Sequence, residues 1–237
     1  MRITATDLTK GAAAAAVTAG AIFVAVQFGH PASDTFTTET GQWVARSVAK
    51  IVMCVLALAA IAGLYLRQRR EAGVVGLVGY LLFSVGYLAL LTTEVIAAAV
   101  LPSLVDTQPA FVDDVVIAAN GGAAQGDIGG VSVLLGVAGA GYILGGLVLG
   151  VALARAGVVN RWAAVLLAVS TVLTAALAVL PEAFNRPLAV PEGIALIALG
   201  VSLWRNAGPG AAPIATTHTN SDGVAAAVGV VRHAAVR

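Results

Sequence analysis

Two cations and one carboxylate stand where a lipid-facing helix has no use for them. Arg46 and Lys50 are four apart in WVARSVAKIVMCVLALAAIAGLYL, and Glu94 precedes Leu101 by seven residues in the next apolar run. Residues four apart share a helix face. Counted at about 1.5 Å per residue from expected span ends at Trp43 and Leu101, Lys50 and Glu94 both lie roughly 10 Å inside. Equal depth on adjacent antiparallel helices is what an intramembrane ion pair needs. A cation at mid-bilayer costs on the order of 3 kcal/mol on insertion scales, and intramembrane charges usually face the bundle interior or a partner. The alternative is snorkelling, in which the long stems lift both charges to the headgroups. Gln27 and His30, three apart at the end of the first apolar run, join Arg46, Lys50 and Glu94 in a polar site expected to face outward. The chemistry such a set supports is charge-based binding of a small solute or ion.

The remaining polar residues read more plainly. Asp127 suits an N-cap, and Glu192, after Pro191, reads as a first-turn acid. Asp113 and Asp114 suit the positive end of a short helix that begins at Pro109. Glu182 and Arg186 bracket the last hairpin. Tyr80 and Tyr87 run in heptad register with Glu94, a stripe that reads as packing. There is no HExxH, CxxC, phosphate loop or GxSxG, and Ser132, Ser170 and Ser202 have no spaced His or Lys to activate them. An enzyme is therefore the least supported class, with no catalytic residue, metal or cofactor expected. His30, His218 and His233 lack metal-ligand spacing, and the single Cys54 cannot form an internal disulfide.

The elements that position these residues are membrane helices. Of 237 residues 59% are hydrophobic and 11% charged, with mean hydropathy +0.94; soluble domains carry roughly 25% charged residues. The apolar runs are continuous rather than alternating, which excludes a β-barrel pattern. The expected fold is all-α, a polytopic bundle of six spans: Gly11–Gly29, Trp43–Leu66, Gly73–Leu101, Ile128–Leu153, Arg161–Leu180 and Pro187–Trp204. A net charge of +1 gives no bulk field for nucleic acid.

Lys and Arg near the span ends orient the bundle. With the N-terminus in the cytoplasm, ten of the thirteen basic residues fall inside, leaving Arg46, Lys50 and Arg186 outside. This gives N-in/C-in, with residues 1–10 a cytoplasmic N-terminus, 11–206 the transmembrane domain and 207–237 a flexible cytoplasmic tail. A cleaved signal peptide is the competing reading of the first span, but HPASD offers no clean small-x-small site. The loop of residues 102–127 is the long one, expected to lie across the outer face. Gly141, Gly145, Gly146 and Gly150, with Gly73, Gly76, Gly79 and Gly86, predict close helix packing within one chain. The echo of AGVV at Ala72–Val75 and Ala156–Val159 is too short to carry a repeat.

The segments GHPASD, GLYLRQRREAGVVGLVGYLLFSVGYL, GDIGG and LPEAFNRPLAVPEGIALIALGVSLWR resemble uncharacterised actinobacterial-type six-span integral membrane proteins, over roughly Gly11 to Asn206. That group has no established activity, so the resemblance implies six spans and no site residues. The expected function is small-solute or ion binding and transport in the cell (plasma) membrane, through the outward-facing site. The alternative is a non-transporting accessory, sensor or structural subunit that meets a protein partner through its cytoplasmic loops, its ion pair fixing helix register. Lipid is the one partner common to both.

Overall fold

The computed structural model describes residues 3–32, 34–178, 180 and 184–208. Among them the regular structure is helical, without strands. Helix α1 spans Ala5–Ala25 and opens on a capping box in which Thr4 and Asp7 each accept the other's backbone N–H. Helix α2 spans Thr40–Arg67 and α3 Arg69–Val95. Just after its start α3 is kinked at Gly73, whose φ of 57° with ψ of −151° is open to glycine and strained for any other residue. Beyond Val95 the same helix runs on through a π-helical turn, Ile96–Val100, and a 3-10 turn, Leu101–Ser103. Helix α4 is Pro109–Ala119, α5 Gly130–Ala156 and α6 Arg161–Leu173, the last prolonged by a 3-10 turn over Thr174–Ala178. Helix α7 covers Asn185–Arg205 and contains Pro191.

Five stretches are long and apolar enough to cross a membrane: Ala5–Ala25, Thr40–Arg67, Arg69–Ser103, Gly130–Ala156 and Arg186–Arg205. The sixth expected span is a shorter apolar helix, Arg161–Ala176. Helix α1 also begins a turn and a half before the expected Gly11, because the Thr4 cap starts it earlier. The expectations for Glu182, His218, His233 and the tail from residue 209 lie outside the described residues.

The long helices form a closed ring. Each packs on the next in the order α1, α2, α3, α5, α6, α7 and back to α1, with α3–α5 and α7–α1 the broadest contacts. Neighbours run in alternate directions, so one end of the ring gathers Arg67, Arg69, Arg70, Arg155, Arg161 and Arg205. This basic end is also closed by hydrogen bonds. Arg67 Nε and Nη2 donate to the Asn206 carbonyl at the end of α7 (3.2 and 2.9 Å), and Asn206 Nδ2 donates to the Val158 carbonyl (3.0 Å).

The other end is capped. Val112, Val115 and Val116 of α4 pack with Phe36, Trp43, Leu101 and Ile128 in a second, smaller core. The main core fills the ring, with Met53, Ile61, Phe83, Leu149, Leu167 and Leu199 among its members. Its walls close through glycine. A Cβ at Gly141 of α5 would stand 2.7 Å from Gly86 N of α3, and one at Gly150 2.7 Å from the Ala164 carbonyl of α6. Backbones that approach this closely gain the dispersion contacts that hold helices together where no hydrophobic drive acts.

Candidate functional site at the capped end

Lys50 and Glu94 meet. Lys50 Nζ lies 3.1 Å from Glu94 Oε1, and the two side chains keep 19% and 10% of their surface. Helix α2 carries Lys50 ten residues in from its start at Thr40. Glu94 is nine residues before the end of its helical run at Ser103, so the two reach one level from opposite directions. The π-helical turn begins two residues past Glu94 and packs against α2. Its extra residue resets which face of the following turn meets α2, a feature common beside functional positions.

Arg46 shares a face with Lys50 and serves another neighbour. Its guanidinium donates to the carbonyls of Val26 (3.3 Å), the C-cap of α1, and of Phe28 (3.2 Å) and Gly29 in the turn just beyond it. A cation there satisfies orphan carbonyls and complements the negative end of the helix dipole. Gln27 turns back on its own helix, Nε2 donating to the Phe23 carbonyl at 3.0 Å. The His30 ring stands edge-on to Trp43 with centroids 4.8 Å apart, and its Nδ1 lies 2.9 Å from the Pro31 carbonyl. Burial, then the cations Lys50, Arg186 and Arg46, push the His30 pKa down to about 3, against the pull of the Pro31 carbonyl. The five residues expected to form one site thus lie at one end of the ring in four arrangements: an ion pair, a helix-end clamp, a glutamine bonded back to its own helix, and a loop packed on tryptophan.

Other expectations change with the geometry. Asp114 lies well inside α4 rather than at its start, and its carboxylate accepts from Gln125 N (2.8 Å) and Gly126 N (2.9 Å), stapling the following loop. Asp127 accepts from Gly129 N at 2.7 Å, and Gly129, not Asp127, is the N-cap of α5. The tyrosine stripe is not one track. Tyr80 stacks on Tyr65 of α2 (5.0 Å, 11°), whereas Tyr87 faces the centre of the ring.

There the sequence reading missed a residue. Glu192 is fully buried, and Tyr87 Oη donates to its Oε1 at 3.0 Å; the other oxygen, Oε2, has no hydrogen-bond partner. Helix α7 begins at Asn185, so Glu192 is its eighth residue rather than a first-turn acid. The contact joins opposite members of the ring. Cys54 of α2, also fully buried, lies within electrostatic reach of both Glu192 and the Lys50–Glu94 pair. A signal was available: Glu192 follows a proline and precedes a glycine in an apolar run, where a carboxyl has no lipid-facing role.

The chain matches no protein-family model, and no curated protein or solved structure is similar to it. Function must be argued from this geometry. Among the described residues no three His, Cys, Asp or Glu side chains are grouped to hold a metal. A groove of about 520 Å³ between α5 and α6, walled by Leu147, Val151, Val165 and Val169, is apolar and lies away from these charges.

Proposed function

We propose that the chain is a six-span, N-in/C-in protein of the cell membrane, of the actinobacterial type it resembles, and that it binds or moves a small solute or ion through the polar face of the capped end. The sixth span is supported by length. Thirteen α-helical residues followed by five in a 3-10 turn reach about 30 Å, the thickness of a hydrocarbon core. The orientation is supported by the gathering of arginines at one end. The observation that carries the binding reading is a column of ionisable groups facing the inside of the ring: Lys50 with Glu94, then Cys54, then Tyr87 with Glu192. A purely structural bundle gains little from such groups, since each must be desolvated.

One observation favours the non-transporting reading. Lys50 and Glu94 satisfy each other directly and Arg46 is spent on the end of α1, as a register-fixing pair in an accessory subunit would be. The two readings separate in proteoliposomes on a solid-supported membrane challenged with sodium, potassium and small carboxylate salts. Binding or transport gives a charge displacement with at least one of these, lost in Lys50→Ala and Glu94→Ala proteins that still purify folded. The double swap Lys50→Glu with Glu94→Lys restores the stability lost by either single reversal but does not restore that signal. Absence of a signal from every solute, or a signal that neither alanine variant reduces, overturns the reading.

A further inference from the structure

We propose that Glu192 is an intramembrane proton-binding site, its carboxyl kept as the neutral acid at the centre of the ring with Tyr87 as its fixed hydrogen-bond donor. No counter-charge is paired with the group among the described residues. Among the described residues the ion pair is Lys50 with Glu94, a layer nearer the capped end, and those two charges neutralise each other. The ionisable groups facing Glu192 are Tyr87 from α3 and Cys54 from α2. The charged residues of α1 (Asp7, Lys10), α5 (Arg155) and α6 (Arg161) all belong to the basic end, and on α7 itself Arg205 does too; α5 also brings the neutral phenol of Tyr142, its ring centroid 5.8 Å from that of Tyr87. Arg186, six residues before Glu192, places Nη2 3.2 Å from Asn120 Oδ1.

An ionised carboxylate with one neutral donor and no counter-charge is strongly disfavoured in an apolar interior. Adding a proton removes that penalty: an O–H bond forms on one carboxylate oxygen, nothing else breaks, and Tyr87 keeps its own proton. A metal cation would ask instead for a shell of six or so oxygens, and among the described residues no three His, Cys, Asp or Glu side chains are grouped to start one. The backbone is shaped around the group. Pro191 has no N–H to give the Pro187 carbonyl a turn earlier, and a Cβ at Gly193 would stand 2.8 Å from the Gly20 carbonyl, so α7 presses onto α1 at this level.

The site does not require that a solute crosses the membrane, and its test does not read transport. Infrared spectra of the full-length protein in lipid bilayers at neutral pH are expected to show a carboxylic-acid C=O stretching band. Glu192→Gln removes it. Tyr87→Phe keeps the band but shifts it to higher frequency, because the carbonyl loses its donor. If Glu192→Gln fails to fold, Glu192→Asp and Tyr87→Phe carry the test through the shift each imposes. No acid band in the wild type at neutral pH, survival of the band in Glu192→Gln, or an unshifted band in both Glu192→Asp and Tyr87→Phe overturns the proposal. A retained band alongside silent solute challenges fails only the binding function proposed above.

Discussion

Arg46 and Lys50 lie one turn apart on one helix face, and what separates their roles is what the next helix offers each. The carbonyls at and just beyond the end of α1 take Arg46, and the carboxylate of α3 takes Lys50. Removing one member of such a pair leaves the other charged and poorly solvated. A fully buried pair broken this way loses about 3–5 kcal/mol; with part of both side chains still exposed, Lys50→Ala is expected to cost about 1–3 kcal/mol in a detergent unfolding experiment. His30 makes a different prediction. Its folded pKa of about 3 lies below the ordinary histidine value of 6.5, so the neutral ring stabilises the docked loop above about 6.5, and that stability falls as pH drops from there toward about 3. Trp43 fluorescence should report loosening across that window, and His30→Phe should abolish the response; an unchanged response in the variant would remove His30 as its cause. The Lys50–Glu94 pair was legible in the sequence because depth is a count of residues from a span end. Glu192 could be seen as a carboxyl within an apolar run, but its partner could not, since its direction depended on which helix stands opposite.

The helices themselves were legible from apolar runs, and their ends less so. Caps and turns set the ends: Thr4 draws α1 back to Ala5, and the α-helical part of α6 stops at Leu173. The π-helical turn after Val95 left no mark in IAAAV, because those side chains suit an α-helix equally well. The glycines were more informative. Gly86 and Gly141 bring α3 and α5 into backbone contact, so Gly141→Ala forces a Cβ to 2.7 Å from Gly86 N. Overpacking of this kind costs about 1–3 kcal/mol. Gly139, two residues away, meets nothing within 4 Å, and Gly139→Ala should be neutral or stabilise by up to about 1 kcal/mol through helix propensity. Thermal unfolding of the two variants side by side checks this; equal melting temperatures would mean the α3–α5 seam is looser than its geometry.

At the scale of the whole molecule, the arrangement that no local pattern could supply is the ring order, which places α7 between α6 and α1 and opposite α3. Lys10 of α1 stands 5.6 Å over the ring of Trp204 of α7, at the basic end where reagents reach both. In a Cys54→Ala background, Lys10→Cys with Trp204→Cys should therefore cross-link within one chain under a short bismaleimide, visible as a mobility shift. A monomer that stays uncross-linked would break the closure. That closure joins the first and last of the described helices, and so it fixes a calendar as well as a shape. Helix α1 is made well before α7 and waits with Ala13, Ala16 and Gly20 unmatched, and their counterparts Gly193 and Gly200 arrive only when nearly every other described residue has been made. Tyr87 waits for Glu192 over the same interval. A ribosome that stalls before α7 thus leaves an open bundle with a polar gap at its middle, the kind of unfinished membrane protein that quality-control proteases can recognise.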